Sequence, residues 1–275
     1  MQKTVLFGFI ICGSILQAQT HRFIYDVEYK KDSTQSVLTN ENYLLDIDDV
    51  EAKYYTRDFF VADSLIANNI PFPKGQKLNT STIITHKKSS DQYQEYDILE
   101  NTVLNLESKE NQNWKLSTDK KKVKEMTLQK ATANWGGRNW TAWFSTEIPF
   151  QEGPYKFHGL PGLIVELYDD RNDYHFSLVK SQNINGTMKN QFIEMSKAMS
   201  VHVTREKYNA TKLKYYQAPI NFLRNQIGEG NGKGDFYLND GTVITDKNSR
   251  ETNEILRKTI KQYNNPIDLE NAVKY

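Results

Sequence analysis

Short segments in which apolar and polar residues alternate recur along most of this chain, and this pattern constrains the fold more than any other feature. The first segment runs from Phe23 to Lys30, and further segments cover residues 42–47, 52–56, 81–86, 93–99 and 102–106. Alternation places successive side chains on opposite faces of a β-strand. Because the segments are rich in tyrosine and threonine and lie a few residues apart, they predict an antiparallel meander.

Helical spacing is confined to fewer segments. Residues 58–67 repeat apolar side chains at helical intervals behind Asp58, the expected N-cap, and Thr204 is expected to cap a second helix. Residues 250–263 have helical composition, while residues 190–197 fit a helix or a strand. We therefore predict a mainly β (α+β) fold, a strongly curved antiparallel sheet or half-barrel with one to three helices. The half-barrel rests on analogy with lipoprotein carriers, which combine a long meander with helices.

Residues 1–18 have the features of a signal peptide. Lys3 gives a positively charged start, the residues from Val5 to Leu16 are mostly apolar, and Leu16-Gln17-Ala18 suits a cleavage site. The apolar run is shorter than the ~20 residues that span a bilayer, which disfavours a membrane anchor. We expect residues 19–275 to form a single β-rich domain that does not span a membrane. Its expected location is the periplasm, the cell surface or the extracellular medium.

Composition narrows the chemistry of the exported part. Cys12 is the only cysteine, so removal of the signal peptide leaves no disulfide, thiol nucleophile or thiolate metal ligand. The whole chain has 35 basic and 34 acidic residues, and the signal peptide contains one of the basic ones, Lys3. This balance argues against nucleic acid as a partner. The basic run at residues 119–124 is expected to be a solvated turn beside a sheet edge.

A segment rich in glycine and proline, residues 153–164, interrupts the alternation. Pro161 and Gly162 suit the two central positions of a type II turn, because proline fixes φ and glycine readily takes a positive φ. We expect a structural role, a tight corner before a core strand; a loop that grips a ligand is the alternative. The residues of this structural motif are Gly153, Pro154, Gly159, Leu160, Pro161 and Gly162.

The hexapeptide from Gly159 to Ile164 spells GLPGLI, and the chain resembles the GLPGLI family of Bacteroidota. The resemblance extends over most of the exported part, through Gln129-Lys130-Ala131-Thr132, residues 140–144, Glu147-Ile148-Pro149, Gly153-Pro154 and residues 263–269. It implies an exported protein whose biochemical role is uncharacterised. Relatives often carry a cysteine just before Gln129, where this chain has Leu128, so the resemblance implies no thiol chemistry here.

The hairpin after the motif can pair in more than one register. If Tyr168 faces Asp173, the apolar side chains of residues 163–167 and 174–178 share one buried face, whereas a one-residue slip separates them. Apolar burial outweighs a polar pair across two strands, so we predict the first register. It leaves a four-residue loop and sets Glu166 opposite His175.

Aromatic residues cluster just before the motif. Gly136-Gly137 predicts a hairpin turn, after which Trp140 and Trp143 point to opposite faces of one strand. A packed core explains most such clusters. The alternative is a concave apolar platform for a lipid, peptide or glycan. Its candidate ligand-binding residues are Trp135, Arg138, Trp140, Trp143, Tyr155 and Phe157.

No pattern indicates a catalytic, metal or cofactor site. The five histidines lack the helical zinc spacing, Asp169, Asp170 and Asp173 lack the EF-hand spacing, and the glycines of residues 228–234 do not match a P-loop. We therefore expect no cofactor and no metal. The leading hypothesis is an exported, non-enzymatic protein that binds an apolar ligand or an outer-membrane or other cell-envelope partner. The alternative is a secreted hydrolase with an unrecognised catalytic site, such as a Ser/His pair or carboxylates.

Overall fold

The fold is described by a computed structural model that covers residues 19–71, 78–88, 90–100, 102–226, 236–237, 243–245 and 247–275. Twelve strands form one large sheet: β1 (Gln19–Tyr29), β2 (Thr39–Ile47), β3 (Glu51–Thr56), β4 (Thr82–Lys87), β5 (Gln92–Leu99), β6 (Thr102–Lys109), β7 (Lys115–Val123), β8 (Met126–Trp135), β9 (Arg138–Ser145), β10 (Leu163–Asp169), β11 (Tyr174–Asn185) and β12 (Val201–Val203). The predicted signal peptide and the glycine-rich segment 228–234 lie outside the described residues.

Five helices and a two-stranded ribbon complete the described part of the chain. They are α1 (Arg57–Ala67), α2 (Gln191–Met199), α3 (Arg205–Gln217), α4 (Pro219–Gln226), α5 (Ser249–Gln262) and the ribbon of β13 (Phe236–Tyr237) with β14 (Val243–Ile244). No helix within the described ranges is both long and apolar enough to cross a membrane.

The order of the strands across the large sheet is β12-β6-β5-β4-β3-β2-β1-β11-β10-β9-β8-β7. Neighbouring strands pair antiparallel, except that β12 runs parallel to β6. The predicted mainly β class is therefore confirmed. The sheet is mixed and open, with β12 and β7 at its edges, so it does not close into a barrel. The predicted strongly curved half-barrel with one to three helices is not supported: the sheet is open and not strongly curved, and the described residues form five helices, four of them between residues 191 and 262.

The alternation in the sequence sorts side chains between the two faces of the sheet as expected. In β1 the side chains of Phe23, Tyr25 and Val27 are buried in the main core. In β9 the buried side chains are Trp140 and Phe144 with Ala142 between them, and Trp143 points to the other face. Apolar residues at every second position therefore build one continuous inner face.

The connection between β9 and β10, residues 146–162, packs against strands from both halves of the sheet. Oε2 of Glu152 lies 2.8 Å from Nε2 of His86 of β4, and Lys156 lies 2.7 Å from Glu95 of β5. The ring of Phe157 lies 4.7 Å from that of Trp140. The motif segment thus has the structural role expected for it, because its side chains join β4 and β5 to β9.

The turn inside the motif differs from the predicted one. The Gly162 amide donates to the carbonyl of Leu160 at 2.8 Å, a three-residue γ-turn centred on Pro161 rather than a type II turn. Gly162 is needed for space: a Cβ there would lie 2.1 Å from the carbonyl oxygen of Ser145 at the end of β9. The prediction of a tight corner holds, but its geometry was wrong because the neighbouring strand, not the turn, sets the constraint.

The hairpin of β10 and β11 pairs two residues away from the predicted register. Tyr168 faces His175, and Leu167 faces Phe176. A shift of two residues keeps every side chain on its face, so Leu167, Tyr174 and Phe176 pack in the main core as predicted. A register shift against β9 between Ile164 and Glu166 accompanies the one departure, in which Ile164 rather than Val165 joins that core. Glu166 and His175 are diagonal neighbours in contact at 3.2 Å rather than directly opposite. The turn is set by the carboxylate of Asp169, which accepts from the amides of Asp173 and Tyr174.

Among the other local predictions, some are confirmed and some are wrong. Gly136 and Gly137 form the predicted hairpin turn, both with positive φ, and Thr204 caps α3 by accepting from the Lys207 amide. The N-cap of α1 is Thr56 rather than Asp58, whose carboxylate instead accepts from the Asn79 amide. Residues 190–197 belong to a helix. The basic run is part of the edge strand β7 rather than a turn.

Candidate functional site

Tyrosines line the inner face of the sheet near one end of β1. The pairing of β1 with β11 sets Tyr29 opposite Tyr174, and the two rings stack with centroids 5.6 Å apart. Tyr43 of β2 and Tyr54 of β3 form a second stacked pair, at 5.0 Å. Each of these residues occupies an inward position of an alternating strand, so two walls of aromatic rings face the same space.

A half-open cavity of about 220 Å³ lies between these walls. Tyr155, from the β9–β10 connection, and Ile267, from the C-terminal segment, complete its lining. The lining residues are Val27, Tyr29, Tyr43, Tyr54, Thr82, Ile84, Glu95, Tyr155, Tyr174, Phe176 and Ile267. Five of the eleven are tyrosines, and Glu95 is the one charged residue among them.

Most of the tyrosine hydroxyls around the cavity are fixed by hydrogen bonds. Tyr29 and Tyr43 both donate to Oε2 of Glu41, at 3.1 and 3.2 Å, and Tyr174 donates to the carbonyl of Asn265 at 2.7 Å. The hydroxyl of Tyr54 is buried and has no hydrogen-bond partner among the described residues. A buried hydroxyl without a partner costs about 1–3 kcal/mol, and Tyr54 is one of the residues that line the cavity.

Glu95 belongs to a buried charge cluster at the cavity wall. Lys156 lies 2.7 Å from Glu95 and 3.4 Å from Glu110, and its side chain is only 2% exposed. The indole of Trp135 donates to the other oxygen of Glu110 at 3.0 Å. Two carboxylates therefore share one ammonium group, which leaves one negative charge in excess within the cluster.

The ionisation states in this region follow from burial and charge. Burial raises the pKa of Tyr155 well above its usual value, and Glu95, Asp268 and Glu110 raise it further. Burial alone would lower the pKa of Lys156, but the carboxylates of Glu95 and Glu110 outweigh it and raise the pKa. The tyrosines are thus neutral and Lys156 is charged near neutral pH.

The predicted aromatic cluster is only partly assembled by the structure. Trp135, Trp140 and Phe157 pack together, with the Phe157 ring 5.0 Å from Trp135, and Tyr155 lies 6.0 Å from Trp135. Trp140 and Phe157 are fully buried, as in a packed core. Of the six candidate ligand-binding residues, Tyr155 is the one that lines the cavity. Ligand binding by the other five stays a prediction.

Arg138 is buried beneath the cavity in a polar cluster. Its guanidinium donates to Asp169 at 2.7 Å, to Asp173 at 3.2 Å and to Asn265 at 2.7 Å, and it lies 4.9 Å from the ring of Tyr174. Asp169 and Asp173 therefore pair with an arginine, while Asp170 accepts a hydrogen bond from Asn139. These contacts hold the C-terminal segment, including Ile267, against the sheet.

Trp143 lies on the opposite, outer face of the sheet. Its ring is 4.4 Å from the ammonium group of Lys121, which also pairs with Glu166. Glu166 in turn contacts Nε2 of His175 at 3.2 Å, and the hydroxyl of Ser177 lies 3.5 Å from the same nitrogen. A catalytic relay needs the carboxylate on one ring nitrogen and the hydroxyl on the other, so this Ser/His/Glu set lacks the required geometry.

The tyrosines of the cavity were not singled out from the sequence. Their signal is weak because each is one inward residue of an ordinary alternating strand, and the strands lie far apart along the chain. Tyr29 and Tyr174 become neighbours through the pairing of β1 with β11. Among the described residues, no group of three or more His, Cys, Asp or Glu side chains could hold a metal ion.

Fold and site together define a mainly β protein with a small aromatic cavity on the inner face of an open sheet. Residues 87–166, less than a third of the chain, match a family described as "Protein of unknown function (Porph_ging)". That range includes the motif at residues 159–164 and is consistent with an uncharacterised family, while the GLPGLI name itself stays a prediction. No curated protein matches the chain.

The chain is similar in fold to part of PNGF-II. With one crystal form of PNGF-II the TM-score is 0.50 at 10% identity, and the match covers 70% of this chain and 32% of that one. With a second crystal form the TM-score is 0.47 at 10% identity, covering 68% and 31%. This chain thus spans about a third of the PNGF-II chain, and at this identity the likeness concerns the fold alone.

Proposed function

We propose that this chain is an exported, non-enzymatic protein that binds a small, largely apolar ligand in the tyrosine-lined cavity. The observation that carries the proposal is a cavity of about 220 Å³ lined by five tyrosines, one of which, Tyr54, has a buried hydroxyl without a hydrogen-bond partner among the described residues. An engineered apolar cavity of about 150 Å³ is large enough to bind benzene, so this one has room for a single ring with a short substituent. Binding pockets combine such apolar walls with a few polar groups.

Export and family membership belong to the same proposal. The sequence of residues 1–18 supports export to the periplasm, the cell surface or the medium, and the GLPGLI hexapeptide supports membership of that family. We further propose that residues 19–275 act as one domain. A cell-envelope protein that delivers or receives the ligand would be the partner.

Native mass spectrometry of the protein purified from the envelope fraction of its own host tests the binding proposal. We expect a co-purifying small molecule that is lost from Val27→Phe, because Val27 lines the cavity and phenylalanine fills it. The matched control is Val50→Phe, since Val50 is 70% exposed and outside the cavity. Retention of the molecule by Val27→Phe, or no bound molecule in the wild-type protein, would contradict the proposal.

The alternative, a secreted hydrolase, receives no support from the side chains described. Ser177 and Glu166 both contact the same imidazole nitrogen of His175. The ring therefore cannot take a proton from the hydroxyl on one nitrogen while its other nitrogen donates to the carboxylate. A screen of peptide, ester and glycan substrates remains the direct test of this hypothesis. Turnover that Ser177→Ala abolishes would overturn the proposal of a non-enzymatic protein.

A further inference from the structure

We infer that the cavity selects a ring-bearing organic cation, a molecule with one ring and a short chain ending in an ammonium group, which Glu95 and the Tyr54 hydroxyl receive. This inference rests on the proposed binding function and narrows its ligand class. It is carried by three independent features of the cavity: an excess of negative charge, an unsatisfied hydrogen-bonding group, and the aromatic walls.

The charge around the cavity favours a cation. The ammonium group of Lys156 lies 2.7 Å from Glu95 and 3.4 Å from Glu110, so two carboxylates share one cation at ion-pair distance. Since a charge removed from water is stable only when it is paired, an ammonium group completes the cluster and a carboxylate or phosphate would be repelled.

The polar atoms in the lining are arranged as acceptors. Lys156 contacts Oε2 of Glu95, so the ligand would meet Oε1 of the same carboxylate. The Tyr54 hydroxyl has no hydrogen-bond partner within the described part of the chain, and its oxygen can accept from an ammonium group. The ligand's ammonium would thus donate to the carboxylate of Glu95 and to the hydroxyl of Tyr54.

The aromatic walls suit both parts of such a ligand. Tyr29 and Tyr43 donate hydrogen bonds from their hydroxyls to Glu41, which increases the electron density of the rings. Electron-rich ring faces attract cations by the cation–π interaction and also stack on a second ring. The room for one ring and a short chain limits the ligand to roughly the size of a phenylethyl amine, judged against the ~150 Å³ cavity that binds benzene.

Titration calorimetry with three matched probes tests the inference. Phenethylamine, 2-phenylethanol and phenylacetate share a ring of the same size and differ in the charge of the terminal group. We expect phenethylamine to bind at least tenfold more tightly than 2-phenylethanol, and phenylacetate to show no binding. Glu95→Gln should remove the preference for the amine, so that phenethylamine and 2-phenylethanol bind this variant with similar affinity.

Tyr54→Phe provides a second variant that does not disturb the ion pair of Lys156, in case Glu95→Gln unfolds the protein. It should weaken the binding of phenethylamine about threefold. Its control is Tyr215→Phe, which removes a buried hydroxyl that donates to Glu100 in a different core and should leave the affinity for phenethylamine unchanged.

Equal affinity for amine and alcohol would overturn the cation inference while the proposed function stands. Binding of none of the three probes, with native mass spectrometry also showing an empty protein, would overturn both.

Discussion

Replacement of Gly162 by alanine tests the account of the motif most directly. A Cβ at this position would lie 2.1 Å from the Ser145 carbonyl oxygen, 2.6 Å from its carbon and 2.9 Å from Cα of Thr146. All three atoms are backbone, so no rotamer change relieves the contact, and the ends of β9 and β10 must move apart. Overpacking costs about 1–3 kcal/mol, and we expect about 3 kcal/mol here because strands rather than side chains have to shift.

The matched control is Gly159→Ala in the same hexapeptide. Gly159 has a φ of 85°, but a Cβ there meets nothing within 4 Å, so the cost is that of the left-handed backbone alone, roughly 1–2 kcal/mol. Urea unfolding followed by tryptophan fluorescence measures both free energies. At roughly 2–4 °C per kcal/mol for a chain of this size, Gly162→Ala should lower the melting temperature by about 6–12 °C. A Gly162→Ala protein as stable as Gly159→Ala would refute the steric account.

Three further outcomes are expected. Arg138→Met should destabilise the fold by about 3–5 kcal/mol in urea unfolding, because it leaves Asp169 buried without a cation and Asp173 with only Lys30, whereas Lys121→Met on the outer face should cost under about 1 kcal/mol. Burial raises the pKa of Asp173, but hydrogen bonds from Lys30 and Arg138 outweigh it and lower the pKa. The ionised Asp173 therefore stabilises the fold above the unfolded pKa near 4, and this stabilisation is lost as pH falls through the lower folded pKa. Asp173→Asn should flatten the pH dependence of the free energy of unfolding between pH 5 and 2 in urea titrations. Far-ultraviolet circular dichroism should show strand well in excess of helix, and a helix-dominated spectrum would contradict the strand assignments.

The strands and their faces could be predicted from the sequence because alternation is a strong local signal. Residues 23–30 were assigned to a strand that the structure gives as Gln19–Tyr29. The register of the β10–β11 hairpin could not be predicted to the same degree. Apolar patterning rejects a shift of one residue, which exchanges the faces, but it is blind to a shift of two. The carboxylate of Asp169, which closes the turn, decided between those registers.

The cavity could not be predicted because its walls come from distant parts of the chain. The tryptophans of residues 135–143 are conspicuous because they lie close together in sequence, yet Trp140 is buried in the core and Trp143 lies on the outer face. The cavity tyrosines gain their meaning only from the pairing of β1 with β11. Sequence alternation showed that such tyrosines point inward, but it held no information about which inward residues would meet.

The central place of β1 in the sheet has a consequence for how the protein folds. Thr20 of β1 and Gly186, the residue after β11, are hydrogen-bonded although 166 residues separate them, so β1 waits for a strand that is synthesised much later. Until β11 docks, β1 presents an open hydrogen-bonding edge, and such edges recruit other chains. Contacts of this sequence separation also make folding slow. Since Tyr174 and Phe176 arrive with β11, the cavity is among the last parts to form, and ligand binding reports that the whole sheet has been completed.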